Sequence, residues 1–180
     1  MLNQIRAEWI KVFSTRTWVG IVLASLVFTG MTVFGYAQIA GTIGIPPLDN
    51  VDLMNLLYGG SATGVALALI LGVVGATAEY RYGTIDHTYL ISPLRHKVLV
   101  AKLLVHALIG GLVGLVAFCI AVESTNLAVS GKSHATVSTA GILEIGGATI
   151  AAFSIYAMLG VAFGSLVRNQ LVGVAAIFGW

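Results

Sequence analysis

The side chains that could do chemistry are few and scattered along this chain of 180 residues. Asp49 and Asp52 follow one apolar stretch, whereas Glu79 and Asp86 follow the next, so the carboxylates do not form the single cluster that acid–base or metal chemistry requires. His106 is the only histidine inside an apolar stretch, and a haem site needs axial ligands that converge on one point. The sequence therefore predicts no catalytic residue and no metal site.

One motif resembles part of a nucleotide-binding site but lacks a glycine that such a site requires. Gly131, Lys132 and Ser133 resemble the end of a phosphate-binding loop, but that loop needs a glycine five residues before Gly131, where the chain has Asn126. We interpret Lys132 as a solvated loop charge. The net charge of +2, without a basic run interleaved with aromatic residues, also argues against nucleic-acid binding.

The densest polar stretch of the chain runs from residue 79 to residue 97. Gly83 can adopt a left-handed backbone and end a preceding helix. Thr84 can then cap a new helix that has Asp86 in its first turn, where a negative charge is favourable. Pro93 excludes the residue before it from helical geometry and so ends that helix. The spacing predicts a short helix between two breaks.

This short helix, predicted over residues 84–91, carries more apolar surface than a connecting segment needs. Such a surface is typical of a docking site for a soluble partner or for the membrane interface. The alternative is a plain connecting loop whose basic residues serve only to orient the chain. The apolar residues of the helix are Ile85, Tyr89, Leu90 and Ile91.

The helices that must position this segment can be predicted from the composition of the chain. Hydrophobic residues make up 58% of the chain and charged residues 9%, whereas a soluble domain carries about 25% charged residues. A span needs about 20 apolar residues, and the charge-free stretches predict an all-α polytopic membrane protein with a single transmembrane domain over 1–180. The predicted spans are 18–40, 53–78, 98–122 and 145–167, and 171–180 predicts the truncated start of a fifth.

The basic residues predict the orientation of these spans. With the N-terminus in the cytoplasm, Lys132, in a predicted outer loop over 123–139, is the one basic residue outside. The positive-inside rule therefore favours this orientation. The basic residues on the cytoplasmic side are then Arg6, Lys11, Arg16, Arg81, Arg95, Lys97, Lys102 and Arg168.

Residues 1–16 have the pattern of an interfacial helix. Apolar residues recur at helical spacing and polar ones occupy the rest of the helix surface, so the apolar stripe is expected to lie at the lipid headgroup boundary. Arg6, Lys11 and Arg16 would then face anionic lipids. Besides Arg6 and Lys11, the residues assigned to this interface are Glu8, Trp9 and Phe13.

Three pairs of glycines are spaced four residues apart, at 60–64, 110–114 and 160–164. This small-xxx-small spacing lets two helix backbones approach closely. In a chain with 22 glycines we predict that the pairs serve packing within the chain rather than a dimer contact.

Two segments carry a resemblance to a known family. The polar stretch resembles the segment after the second span in permeases of the ABC-2 type, the membrane subunits of ATP-driven exporters. Residues 6–18 are similar to the start of many bacterial members. Members usually have six spans, so the resemblance implies that the fifth span is truncated here. The residues that form the pattern in the polar stretch are Glu79, Gly83, Thr84, Leu90, Pro93, Arg95 and Lys102.

The resemblance implies a function as well as a fold. Residues 84–91 would be the coupling helix that docks in a separate ATP-hydrolysing subunit, and ATP and Mg would bind to that partner rather than to this non-catalytic chain. Two permease copies, or one and a close relative, would form an export pathway in the bacterial plasma membrane. The residues expected at the partner contact are Glu79, Arg81, Gly83, Thr84, Ile85, Asp86, His87, Tyr89, Leu90, Pro93 and Arg95.

Two other functions remain open at the level of sequence. The chain could be a membrane-anchor or cofactor-binding subunit of a membrane enzyme complex, for which His106 is the one candidate haem ligand. It could also be a secondary transporter, although no charged residue lies in the middle of a predicted span, as a coupling site would often require.

Overall fold

The computed structural model describes residues 2–42, 44–60, 62–91 and 94–179. In these residues the chain is all helical, without strands. The helices are α1 (Leu2–Ser14), α2 (Thr17–Gln38), α3 (Val51–Gly59), α4 (Ala62–Arg81), α5 (Ile85–Ile91), α6 (Arg95–Val129), α7 (Thr139–Val167) and α8 (Gln170–Phe178).

Among the described residues, four stretches of helix are long and apolar enough to cross a membrane, which agrees with the predicted fold class. They are α2, the stretch Val51–Arg81 that contains α3 and α4, most of α6, and α7. Many of their large apolar side chains point away from the bundle, as Leu23, Met31 and Phe34 do on α2. Lipid covers such side chains at no cost, so the fold is that of a polytopic membrane protein.

The second predicted span, 53–78, is divided into α3 and α4 by Gly60. This residue has φ +76°, a backbone conformation that side chains disfavour. The start of α3 is fixed by Asn50, whose Oδ1 accepts hydrogen bonds from the backbone N–H groups of Asp52 (2.8 Å) and Leu53 (3.1 Å). Such a cap satisfies N–H groups that have no partner within the helix.

The loop predicted over 123–139 is wrong in its first half, because α6 continues to Val129. The polar residues there favour a loop by propensity, but tertiary packing overrides a weak local preference. Ala128 and Val129 are buried in the cluster that α2 and α3 form with α6. The Thr125 hydroxyl donates to the carbonyl of Ala121 (2.7 Å) inside the helix. The connection to α7 is correspondingly shorter.

The central contact of the bundle is between α4 and α7. At Gly72 and Gly160 the two backbones are so close that a Cβ on either residue would overlap a carbonyl oxygen of the other helix. Gly110 of α6 similarly lies against the backbone of Phe153 on α7. The glycines at 110 and 160 therefore pack within the chain, as predicted.

Helices α1 and α5 lie at the same end of the bundle, which we call the α5 end. At the opposite end, the loop before α3 meets the loop between α6 and α7. There the backbone N–H of Ala135 donates to the carbonyl of Leu48 (2.9 Å), and the Lys132 ammonium donates to the side chain of Gln38 (3.1 Å). Lys132 thus lies at the end opposite to α1 and α5.

Candidate functional site

The turn from α4 into α5 is built as the sequence predicts. Gly83 has φ +67°, and its N–H donates to the carbonyl of Tyr80 (3.4 Å) while the N–H of Thr84 donates to that of Glu79 (2.9 Å). These two hydrogen bonds form a Schellman motif, which caps α4 and turns the chain. The carbonyl of Thr84 then accepts from the N–H of Thr88 (3.2 Å) and opens α5.

Helix α1 packs on the bundle through part of its predicted apolar stripe. Ile5 and Val12, which belong to that stripe, contact the apolar cluster of α4, α6 and α7, and Glu8, which lies between them on the same face, is only 3% exposed. Trp9 and Phe13, also from the stripe, are exposed, and their ring centroids lie 4.9 Å apart. Part of the stripe thus packs on the protein and part stays available for lipid, whereas the burial of Glu8 was not predicted.

Glu8 belongs to a closed ring of four charges, the ion cluster, formed by Glu8, Lys11, Glu79 and Lys102. The Lys11 Nζ lies 2.7 Å from Glu8 Oε1 and 2.5 Å from Glu79 Oε1. The Lys102 Nζ lies 2.7 Å from Glu8 Oε2 and 3.6 Å from Glu79 Oε2. Each lysine thus contacts both carboxylates, and the cluster joins α1, α4 and α6 without net charge.

Burial makes the ion cluster costly to break. Glu8, Glu79 and Lys102 are all buried, and removing one partner of a buried ion pair costs about 3–5 kcal/mol because the other charge is left uncompensated. Lys11 is different, since its side chain is 40% exposed. We expected it to face anionic lipids, but its ammonium contacts the two carboxylates instead.

The charges of the ion cluster change the proton affinity of the two α1 residues. Burial alone would raise the pKa of Glu8, but the charge of Lys102 and hydrogen bonds from Lys102 and Lys11 hold that pKa below its usual value. Burial acts to lower the pKa of Lys11, and its hydrogen bonds with Glu79 and Glu8 raise the pKa above its usual value. Both groups therefore stay charged near neutral pH.

Helix α5 is tied to the ion cluster by one hydroxyl. Thr88 Oγ1 lies 3.3 Å from Glu79 Oε1 and 3.4 Å from Lys11 Nζ, within hydrogen-bond distance of both. A displacement of α5 therefore acts directly on the side chains that join α1, α4 and α6.

The ion cluster extends along α6 to His106, which is 1% exposed. Its Nδ1 lies 2.9 Å from the carbonyl oxygen of Lys102. The ring lies against Gly75 of α4, where a Cβ would overlap it. In the described part of the chain, no group of three metal-binding side chains comes together around His106 or elsewhere.

The other predicted partner-contact residues lie on α5 or close to it in the chain. Leu90 (80% exposed) and Asp86 face outward from α5, and Ile85 is half-buried. Arg81 is exposed and donates to the side chain of Gln170 (3.1 Å). His87 and Tyr89 belong to α5, Arg95 begins α6, and Pro93 lies outside the described residues.

Glu79 differs from those outward-facing residues, because its carboxylate is occupied by the ion cluster. Sequence reasoning placed it at the partner contact and missed its pairing with Glu8, Lys11 and Lys102. One signal was present in the sequence, namely an acidic and a basic residue at the borders of two apolar spans, at 79 and 102. Buried charges at such positions require partners of opposite sign.

The site as a whole joins α1, α4 and α6 through the ion cluster and brings α5 into contact with it. The buried charges neutralise one another, and the exposed apolar residue Leu90 lies on the short helix that is tied to them. A model of the ABC-2 family transporter protein matches residues 4–178. No curated protein and no solved structure gives a significant match. The family match covers nearly the whole chain, and the protein therefore belongs to the ABC-2 family of transporter proteins, as a membrane component of transport.

Proposed function

We propose that the chain is the permease subunit of an ABC exporter and is driven through α5 by a separate ATP-hydrolysing subunit. The observation that carries the proposal is the link from α5 through Thr88 to the ion cluster. Because that cluster joins α1, α4 and α6, a push on α5 is shared by three helices at once. Membership of the ABC-2 family makes an ABC ATPase the expected source of that push.

The exposed surface of the α5 end supports this docking role. Leu90 and Tyr82 are 80% and 61% exposed at the end of the bundle where the charged loops lie. In a spanning protein this end is outside the hydrocarbon, so exposed apolar side chains here favour contact with another protein. ATP and Mg²⁺ then bind to the partner, and two copies of the chain, or one and a close relative, enclose the pathway.

Orientation follows from the distribution of basic residues. The α5 end carries Arg6, Lys11 and Arg81, whereas Lys132 lies at the opposite end. By the positive-inside rule the α5 end faces the cytoplasm, where ATP is available, and the N-terminus is cytoplasmic. From the resemblance to ABC-2 permeases we infer export from the cell as the direction of transport and the bacterial plasma membrane as the location.

The docking role is tested by changing the exposed leucine of α5. Leu90→Asp places a charge on the proposed contact without touching the ion cluster. The chain is purified in mild detergent from its native membrane, and its bound subunits are identified by mass spectrometry. We expect an ABC ATPase to copurify with the unchanged protein and to be lost with Leu90→Asp.

A matched control uses a leucine at the other end of the bundle. Leu127 on α6 is 72% exposed, so Leu127→Asp introduces the same change far from α5 and is expected to retain the ATPase. Copurification of the ATPase with Leu90→Asp, or the absence of any ATPase from the unchanged protein, would overturn the proposal.

A further inference from the structure

A cavity of about 580 Å³ lies between the last turns of α4, the turn from α7 into α8, and α8 itself. Its volume is within the range of about 300–1,000 Å³ for small-molecule sites. Helix α8 packs closely on α4, since a Cβ at Gly173 would lie 2.8 Å from the Val73 side chain. None of the four residues of the ion cluster lines this cavity, so it is a second feature of the α5 end.

Two arginines, Arg81 and Arg168, line the cavity, and both side chains are exposed at its opening. No lining residue is acidic, and the ion pairs among the described residues all belong to the ion cluster. The Arg81 guanidinium donates to Gln170 Oε1 (3.1 Å) and has further N–H donors for another partner. The cavity thus holds two positive charges without a counter-charge from the described chain, and it favours an anion.

The backbone of Arg168 indicates that its side chain has a use. Arg168 follows α7 with φ 56°, and among the described residues it is the only one other than glycine with a positive φ. Glycine is the usual residue at such a helix end, because side chains disfavour this conformation. An arginine kept in a strained position beside a cavity is typical of a binding residue.

The rest of the lining includes an apolar wall that runs from the arginines into the membrane. It contains Ile70 and Val74 on α4 and Val174 on α8. Ile70 lies about 16 Å from Arg81 along α4, at about 1.5 Å per residue, and Arg81 ends a stretch that is apolar enough to span. One leaflet is half of a hydrocarbon core of about 30 Å. The wall therefore matches the length of an acyl chain, for which a free anion has no use.

We propose that the cavity binds an anionic phospholipid, with its phosphate between Arg81 and Arg168 and one acyl chain along Ile70, Val74 and Val174. Guanidinium groups bind phosphate oxygens through paired, charge-assisted hydrogen bonds. Basic pockets between spanning helices bind anionic headgroups in the same way.

This site goes beyond the docking of an ATPase on α5. Neither Leu90 nor Tyr82, the exposed apolar residues of the docking surface, lines the cavity. Arg81 was also predicted at the partner contact, whereas Arg168 was not. The tests therefore rely on Arg168 and on the purified chain alone, so that the lipid site and the docking role can fail separately.

The proposal is tested by native mass spectrometry of the purified, delipidated chain in mild detergent. The chain is titrated with dioleoylphosphatidylglycerol and, separately, with dioleoylphosphatidylcholine, which has the same acyl chains but no net charge. We expect one saturable site that binds the anionic lipid at least about 10-fold more tightly. Glycerol 3-phosphate at the same concentration should not displace the lipid, because it lacks the acyl chain.

Two matched variants separate this site from a general attraction between basic residues and anionic lipids. Arg168→Gln should bind the anionic lipid about 10-fold more weakly, the effect of losing hydrogen bonds between charged groups. Arg16→Gln removes the same charge at the same end of the bundle, but Arg16 does not line the cavity. It should bind the lipid as the unchanged protein does.

A third variant distinguishes the loss of the site from a loss of folding. Arg168→Gly removes the guanidinium and also relieves the positive φ. It should bind the anionic lipid as weakly as Arg168→Gln, with a thermal unfolding midpoint at least as high as that of the unchanged protein.

Three results would overturn the proposal. Equal affinity for the two lipids would show that the arginines do not select an anion. Displacement by glycerol 3-phosphate would show that the ligand is a free phosphate ester rather than a lipid. Unaltered binding by Arg168→Gln, or an equal loss with Arg16→Gln, would show that the cavity is not the site.

Discussion

Glu8 shows how a single side chain can fix the position of a helix. On sequence alone it is one of several polar residues of an interfacial helix, whereas in the structure it is the buried carboxylate that both Lys11 and Lys102 contact. Lys11 is three residues away on the same helix, but Lys102 lies 94 residues along the chain. Local spacing does not identify a partner at that distance, which is why the ion cluster as a whole was missed although charges at the borders of the spans indicated a need for partners.

The turn at Gly83, in contrast, depends only on residues that are close together in the chain. The Schellman motif involves only Glu79, Tyr80, Gly83 and Thr84, so everything that decides it lies within six residues. A glycine that can adopt a positive φ at the end of an apolar helix was sufficient to predict the break and the short helix after it.

The attachment of α1 is expected to depend on pH through Glu8. Because the pKa of Glu8 is lowered from 4.5 in the docked helix, its contribution is complete above about pH 4.5 and is lost as the pH falls through the lowered value. The pKa of Lys11 is raised from 10.5, so its contribution is complete below about pH 10.5 and lost above the raised value. Docking of α1 should therefore be constant between these limits.

This dependence can be measured with a spin label at the exposed position Ala7, as Ala7→Cys in a Cys119→Ser background. We expect the nitroxide to become mobile as the pH is lowered from 7 through the lowered pKa of Glu8, which lies below 4.5. With Glu8→Gln added, the label should be more mobile already at pH 7 and most of the acid transition should disappear. An identical acid transition with and without Glu8→Gln would show that Glu8 does not hold the helix.

At the scale of elements, the contact between α4 and α7 depends on the absence of side chains. A Cβ at Gly72 would lie 2.8 Å from the backbone nitrogen of Val161 and 2.9 Å from the Cα of Gly160, besides overlapping the Ala157 carbonyl. Backbone atoms of a packed helix cannot move aside one at a time, so the helices would have to separate. The glycine spacing predicted such contacts but not which helices would make them.

We expect Gly72→Ala to destabilise the bundle by about 1–3 kcal/mol, the usual cost of overpacking. The measurement is the unfolding midpoint in detergent. Gly147→Ala on α7 is the matched control, because a Cβ there meets nothing within 4 Å and alanine favours a helix by up to ~1 kcal/mol. A stability of Gly72→Ala equal to that of Gly147→Ala would contradict the close packing of α4 on α7.

The end of α6 could not be predicted from the sequence. The residues after Cys119 include Glu123, Ser124, Thr125 and Asn126, which are more common in loops, and the predicted span therefore ended at 122. Their helical state is imposed by the burial of Ala128 and Val129 against the other helices. Apolar periodicity identified the spans, but their ends were decided by tertiary contacts.

At the scale of the whole molecule, the composition was enough to predict a bundle of spanning helices. The chain has 9% charged residues, and its charge-free stretches have the length of about 20 residues that a spanning helix needs. Such a helix satisfies its backbone hydrogen bonds internally in lipid. The arrangement of the helices was not predictable in the same way, since it depends on which apolar faces fit together.

Orientation is the property of the whole molecule that can be tested directly. In the Cys119→Ser background, Lys132→Cys should react with a membrane-impermeant maleimide in intact cells, because the positive-inside rule predicts that its loop lies outside. Tyr82→Cys, at the exposed α5 end, should react only after the cells are permeabilised. The reverse pattern would place the N-terminus outside and remove the docking surface from the reach of a cytoplasmic ATPase.

The ion cluster also constrains the order in which the described helices can be assembled. Helix α1 is synthesised before α6, and Lys102 follows Glu8 by 94 residues, which takes roughly 5 to 20 seconds at about 5–20 residues per second. Until then the Glu8 carboxylate lacks both Lys102 and the helices that bury it. Helix α1 can therefore reach its final position only after α6 has been made.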